Sequence, residues 1–264
     1  MNFLSRFRFT AILPLLACAA CTADSIRFDP EGDPNATSTA SLSTSQIVFD
    51  MSAQSYDDAV RVYASPRNGA VGSPLPLGDA DRLEATLGGV VRTMVLDGAH
   101  YVATFPASTS DADAVIHFSR GAAHAGSFTS TGRLAAPFTI VSTPSKITDG
   151  DVVHFKLSSL PPRDAQTTLR FGAAPDGSAN AKCIEWPHDK TFPVTVADDG
   201  VVTFEASRVF ARNPNQRLAP DCDVVIGVRF ETTGATDPAL GKGSALVGLR
   251  EHPFVAHLVR VTGS

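Results

Sequence analysis

Residues 223–231 read DVVIGVRFE. Val224, Ile226, Val228 and Phe230 recur at every second position, with Asp223, Arg229 and Glu231 on the alternate ones. Successive strand side chains point to opposite faces, so this pattern predicts a strand with one face packed and the other solvated. Val224, Ile226, Val228 and Phe230 are its predicted inner face and Arg229 is predicted to be solvated. No stretch of the chain shows a sustained helical period.

The same period runs outward in both directions. Towards the N-terminus it pairs Val60 and Val62 with Arg61 and Tyr63, and Leu83, Ala85 and Leu87 with Arg82, Glu84 and Thr86. Tyr101, Ala103 and Phe105 alternate with His100, Val102 and Thr104, and Ile116 and Phe118 with His117 and Ser119. Val153, Phe155 and Leu157 alternate with His154 and Lys156, and Val202 and Phe204 with Thr203 and Glu205. Near the C-terminus Ala245, Val247 and Leu249 alternate with Ser244 and Arg250, which predicts the first three as inner residues. Only Ser207–Arg212 suggests a short helical turn, with Ser207 as its cap.

Turn signals separate these runs: Arg67-Asn68-Gly69, Gly88-Gly89, Asp97-Gly98, Asp149-Gly150, Asp176-Gly177 and Asp199-Gly200. Asp-Gly favours tight hairpins because glycine accepts a positive φ. The fold class expected is therefore all-β, with two immunoglobulin-like β-sandwich domains. Residues 132–138, GRLAAPF, read as the connection, giving domain 1 as 46–134 and domain 2 as 137–264. Each is close to the roughly 100 residues of such a unit. One large sandwich is the alternative.

The first 21 residues are MNFLSRFRFTAILPLLACAAC. Arg6 and Arg8 precede an apolar run from Phe9 to Ala17, interrupted by Thr10 and Pro14. A membrane-spanning helix needs about 20 apolar residues, so this shorter run is predicted to be a signal peptide. Ala19 and Ala20 before Cys21 resemble the lipobox of bacterial lipoproteins, in which a small residue precedes the lipid-modified cysteine. The resemblance implies diacylglyceryl attachment at Cys21 and cleavage before it. Cys18, after Leu15, Leu16 and Ala17, is the alternative attachment site, and a plain secretory signal is the alternative to an anchor. Residues 22–45 are rich in Ser, Thr, Pro, Gly and Asp and are expected to be a flexible linker. Asp29, Glu31 and Asp33 lie among prolines and lack the distal Glu of a calcium loop, so they read as acidic linker.

The chain has 264 residues with 43% hydrophobic and 19% charged, which excludes a wholly disordered protein. Its formal charge is −5, and only five of 22 cations are Lys, with the 17 Arg scattered singly, so no nucleic-acid partner is expected. Beyond the signal only Cys183 and Cys222 remain. Export to an oxidising compartment makes a disulfide between them the expectation, stabilising by roughly 4 kcal/mol. Cys222 opens the candidate strand F, whereas Cys183 and the single Trp, Trp186, depart from the usual immunoglobulin positions.

The seven histidines, His100, His117, His124, His154, His188, His252 and His257, form no HxH, HExxH or HxxxH pattern. No metal or other cofactor is expected from them. His252 and His257 fall on opposite faces if one regular strand carries both. No GxSxG elbow occurs. Gly241-Lys242-Gly243-Ser244 matches only the tail of a phosphate loop and reads as a glycine-rich hairpin loop. Asp79-Ala80-Asp81 reads as a turn before the strand at Arg82.

Leu77-Gly78-Asp79, Leu83, Ala85 and Tyr101-Val102-Ala103-Thr104-Phe105-Pro106 together resemble uncharacterised lipoproteins of high-GC bacteria. That resemblance implies no activity. The expectation is a cell-envelope protein attached to the membrane, in the outer membrane, through its N-terminal lipid. It would serve as a non-enzymatic binding or structural module with an envelope protein or glycan as partner. A surface adhesin and a hydrolase with a loop-built site are the alternatives.

Overall fold

The computed structural model describes residues 35–56, 58–107, 112–172, 191–209 and 221–259. Strands β1 Ile47–Ser55, β2 Ala59–Asn68, β3 Arg82–Leu87, β4 Val90–Thr93, β5 Val95–Asp97, β6 His100–Pro106, β7 Asp113–Arg120 and β8 Gly126–Arg133 come first. They are followed by β9 Ile140–Ser142, β10 Lys146–Thr148, β11 Val152–Leu157, β12 Gln166–Gly172, β13 Thr191–Pro193, β14 Thr195–Val196, β15 Val201–Glu205, β16 Asp221–Thr233 and β17 Ala245–Val259. The helical pieces among the described residues are three-residue 3-10 turns. One of them, Ala206–Arg208, overlaps the turn predicted over Ser207–Arg212, of which residues 210–212 lie outside the described residues, and Ser207 lies inside it rather than capping it.

The strands form three sheets. A nine-stranded sheet runs β13-β12-β16-β17-β1-β2-β6-β5, with β10 also on β17. Two four-stranded sheets, β4-β3-β7-β8 and β14-β15-β11-β9, pack against its two halves. The chain is thus all-β and encloses two apolar cores. In the second sandwich β9-β11-β15-β14 faces β17-β16-β12-β13, which is the strand arrangement of an immunoglobulin-type unit with β16 as strand F.

The two cores divide near the predicted connection, since Leu134 belongs to the first and Ala135 to the second. The division at 134 and 137 is not clean, however. Leu240 and Leu246, from the segment assigned to domain 2, are buried in the first core. The cause is the long strand β17. Its first part, Ala245–Arg250, pairs in parallel with Asp50–Ser55 of β1. Val247–Val259 of β17 also pairs antiparallel with β16, and its end, His257–Val259, pairs with β10. One strand therefore serves both sandwiches.

Most predicted faces are observed. Val224, Ile226, Val228 and Phe230 are fully buried, and the inner residues of β2, β3, β6, β7, β11 and β15 are buried as the alternation predicts. Gly69, Gly88, Gly89, Gly98, Gly150 and Gly200, in the predicted turns, all have positive φ. The face of β17 differs from the one the alternation predicts. In β17 the inner face is Leu246, Gly248 and Arg250, while Val247 and Leu249 are half-buried on the other side. Gly248 is required there because a Cβ would collide with Arg133 O and Thr232 Oγ1. Arg250 satisfies its burial by donating Nε–H to Ala135 O at 2.6 Å.

The linker predicted over 22–45 differs over its last residues, while residues 22–34 lie outside the described residues. Residues 38–46 lie on the first sandwich through 3-10 turns at Thr39–Ser41 and Thr44–Gln46. Leu42 is fully buried in the first core and Thr39 is fully buried beside it. Polar composition concealed this because Leu42 is the one large apolar side chain the segment buries, and the rest of the contact is made by hydrogen bonds. The turn at Asp79-Ala80 is present, but Asp81 is buried and accepts from Thr39 Oγ1 at 2.5 Å and from Gly121 N–H at 3.0 Å.

Ile226→Ala is expected to lower stability by about 2–5 kcal/mol through lost burial and a residual cavity. Arg229 is not freely solvated: Nη2 and Nε donate to Glu251 Oε2 at 2.8 and 3.1 Å. Arg229→Ala should therefore cost more than a plain surface change, up to about 1 kcal/mol, but less than Ile226→Ala. Urea midpoints of the two variants check the order, and a larger loss for Arg229→Ala would contradict the observed burial.

Candidate binding site on the outer face of the long sheet

The outward positions of the nine-stranded sheet bring together residues far apart in sequence. On β1 they are Asp50, Ser52 and Gln54, continued by Tyr56, because Met51 and Ala53 point into the core. Strand register sets Val247 and Tyr63 on either side of Ser52, and Leu249 and Arg61 on either side of Gln54. On β16 and β17 Arg229 lies opposite Glu251, with Thr168 of β12 beyond it.

Tyr56 stands where the two halves of this face meet. A concavity of about 240 Å³ is lined by Gln54, Tyr56, Arg170, Arg229, Glu251 and Pro253, so both halves of the chain build it. A second, of about 250 Å³, lies on the other side of Tyr56 against Ala107, Phe138 and His252. A third and larger one, about 460 Å³, extends from Tyr56 along β1 and β2 past Ser52, Tyr63 and His100 to Pro74. Arg61 lies 4.9 Å from the centre of the Tyr56 ring, within cation–π range.

Hydrogen bonds tie these side chains to one another. Tyr56 OH donates to Gln54 Oε1 at 2.9 Å and lies 3.3 Å from Tyr63 OH. Gln54 Nε2 donates to Ser52 Oγ at 3.1 Å. Burial pushes the Tyr56 hydroxyl up to about 12, helped by the hydrogen bond to Tyr63. Tyr56 thus remains a neutral donor and acceptor at physiological pH. Arg67 Nη2 and Asp50 Oδ2 form an ion pair at 2.5 Å. His100 Nδ1 bonds Ser65 Oγ, and its ring meets Tyr63 edge-on at 6.3 Å.

Hydroxyl–imidazole pairs occur on this face and elsewhere on the strands. Ser65 and His100 make a hydroxyl–imidazole pair, but Ser65 is only 5% exposed, which withholds its oxygen from solvent. His117 bonds Ser127 Oγ at 2.6 Å through Nε2 and Thr129 Oγ1 at 3.2 Å through Nδ1, so both ring nitrogens face hydroxyls rather than an orienting carboxylate. His154 bonds Thr203 at 3.0 Å and His257 bonds Asp223 at 2.8 Å, both on exposed strand faces. His252 lies on the inward side of β17 near the Phe138 ring, opposite to His257 as strand alternation requires. Among the described residues no three His, Cys, Asp or Glu side chains are grouped to hold a metal ion.

The glycine-rich loop before β17 braces the sheet. Ser244 Oγ donates to Gly241 O at 2.8 Å and accepts from Phe49 N–H at 3.0 Å, and Gly241 N–H donates to Ile47 O at 2.8 Å. Cys222 is buried in the second core at the start of β16. Cys18, Cys21, Cys183, Trp186, His188 and the Asp176-Gly177 turn lie outside the described residues. No helix among the described residues is long and apolar enough to cross a membrane.

No family model matches the chain, and no curated protein matches it. Solved structures of tandem β-domains are similar at a low level. DIP-gamma IG1+IG2 is 9% identical, with 82% of this chain and 97% of that one covered and a TM-score of 0.24. The Sidekick-1 immunoglobulin domains 1–4 are 12% identical over 82% and 48%, also at 0.24. The chicken CNTN1 FN1-FN3 domains are 9% identical over 81% and 67%, at 0.24. Scores of this size add nothing to the strand order already described and carry no function across.

The Tyr56 site had only a faint signal in the sequence. Tyr63 and Arg229 stood on predicted outer faces, but nothing linked β2 to β16. The juxtaposition comes from the β1–β17 parallel pairing, which joins residues 195 apart in sequence, as Asp50 with Ala245.

Proposed function

We propose that this protein is a lipid-anchored cell-envelope binding module, exported through its N-terminal signal and tethered through Cys21. Its binding surface is the outer face of the nine-stranded sheet around Tyr56. The observation that carries the reading is the concavity in which Gln54, Tyr56, Arg229 and Glu251 meet, because side chains from both sandwiches converge there. Tyr and Arg side chains supply a large share of energy in recognition surfaces. The basic residues, short apolar run and Ala19-Ala20-Cys21 sequence support the anchor. The all-β architecture, with its buried cores and polar outer sheet face, suits display of a recognition surface away from a membrane.

Crosslinking on intact cells tests the binding role. The wild-type chain should capture an envelope component that Tyr56→Ala and Arg229→Ala variants of equal abundance lose. Equal capture by all three proteins would reject the surface. Mass spectrometry of the detergent-extracted protein tests the tether and the proposed Cys183–Cys222 crosslink together. A lipidated Cys21 at the N-terminus and one disulfide-linked peptide pair are expected. Lipid on Cys18 would move the site, an unlipidated N-terminus would remove the anchor, and two alkylatable thiols would remove the crosslink.

A further inference from the structure

We propose that the trough along β1 and β2 binds a neutral oligosaccharide, laid between Tyr56 and the Gly72–Pro74 loop. This rests on the binding-module reading and names its ligand class. The trough is long as well as open. From Asp50 to Tyr56 the strand spans roughly 20 Å at about 3.3 Å per residue. Its volume is about 460 Å³, the largest of the three concavities around Tyr56. That shape suits an extended chain of several rings rather than one compact molecule.

The lining has the chemistry a sugar chain requires. A pyranose ring offers a C–H surface on its faces and hydroxyls around its rim. Tyr56 and Tyr63 line the trough with aromatic carbon for the first, and Ser52, Gln54 and His100 line it with hydroxyl, amide and imidazole groups for the second. These groups are held in place before a ligand arrives, by the Ser52–Gln54–Tyr56–Tyr63 hydrogen-bond chain. Fixing them in advance reduces the ordering cost of binding. Capacity remains in that chain: a primary amide has two N–H donors, and the bond to Ser52 uses one of the two on Gln54.

Charge selects a neutral ligand. The cation and the carboxylate in the trough, Arg67 and Asp50, are paired with each other at 2.5 Å. A phosphate or uronate would have to break that pair or sit beside Asp50. Topology argues against an extended peptide, which gains affinity by adding to a free strand edge. Here β1 is paired with β17 and β2, and β2 with β1 and β6, so neither has an edge to offer. The exposed apolar side chains of β4 and β5, Val90, Val91, Val95 and Leu96, lie outside the trough.

Isothermal titration of the full-length chain in a detergent without a sugar headgroup tests the inference. The probes are cellohexaose, xylohexaose, maltohexaose, mannohexaose and chitohexaose, with a hexamer of galacturonate as the charged comparison. At least one neutral hexaose should bind, and Tyr56→Ala and Gln54→Ala should each weaken it about tenfold or more, a loss of about 1.4 kcal/mol. Val91→Ser on β4 should leave binding unchanged, and unchanged melting temperatures of the trough variants separate lost contacts from lost fold. Binding of none of the neutral hexaoses, binding indifferent to both trough substitutions, or a preference for galacturonate would each overturn the proposal. If no hexaose binds but the crosslinked envelope component is still lost in Tyr56→Ala, the glycan inference falls and the binding-module reading stands. If that component is also retained, both fall.

Discussion

A chain ending at residue 136 is expected not to fold, although it contains every strand of the predicted first domain. Such a fragment lacks Leu240 and Leu246, which are buried in the first core, and lacks the segment of β17 that pairs with Asp50–Ser55. Without that segment β1 becomes an open edge whose inner residues Phe49, Met51 and Ala53 line a core with one wall missing. Loss of Leu246 alone, as Leu246→Ala, should cost about 2–5 kcal/mol, and the fragment loses several such contributions together. Net stability of a domain is only about 5–15 kcal/mol, so their sum exceeds what the fragment has to spare. Circular dichroism and amide dispersion of residues 35–136 should report an unfolded chain. The intact protein should unfold in one transition, because β17 cannot leave one sandwich without disturbing the other. A fragment that melts cooperatively with native strand content would show that the shared strand is dispensable.

That same strand marks where sequence reading stopped. The faces of β2, β3, β6, β7, β11, β15 and β16 followed from alternation because each has an unbroken apolar side. In β17 the alternation pointed to Ala245, Val247 and Leu249, and the buried side is Leu246, Gly248 and Arg250. A glycine and an arginine carry no hydrophobic signal. They are inside because the backbone of Arg133 and the Thr232 side chain approach too closely for any Cβ, and because Ala135 O awaits a donor. The contacts with Arg133 and Ala135 join segments more than 100 residues apart, and the one with Thr232 crosses from the neighbouring strand, so no local pattern encodes them. The outer-face site was hidden for a related reason. Its residues occupy solvent-side positions, where alternation predicts only polarity and any polar residue satisfies the pattern. Tyr56 follows the end of β1 and belongs to no alternating run, so its place between two half-sheets depends wholly on the pairing of β1 with β17.

The N-terminal segment supplies the other large expected effect, Arg120→Ala. Arg120 lies at the end of β7 with its side chain fully buried, and it holds residues 39–44 against the first sandwich. Nη2 donates to Thr39 O at 2.6 Å and to Leu42 O at 2.8 Å, while Nη1 donates to Thr44 Oγ1 at 3.0 Å. Asp81 completes the cluster 4.0 Å from Nε and is itself bonded to Thr39 and Gly121. Burial pulls the guanidinium below its usual range, and the Asp81 carboxylate pushes it the other way. Truncation to alanine removes the donors from two buried carbonyls and leaves the Asp81 carboxylate without its counter-charge. Breaking a buried pair by removing one partner costs about 3–5 kcal/mol, because the survivor stays desolvated. Arg120→Lys should recover only part of this, since an ammonium cannot span three acceptors with a planar fork. Lys156→Ala, an exposed change on β11, should stay within about 0.5 kcal/mol and serves as the comparison. Denaturant midpoints measure all three. Limited proteolysis then locates the effect: in Arg120→Ala cleavage should begin within residues 35–46 before the sandwiches unfold. A variant as stable as Lys156→Ala and uncut in that segment would mean that Leu42 alone holds the strap in place.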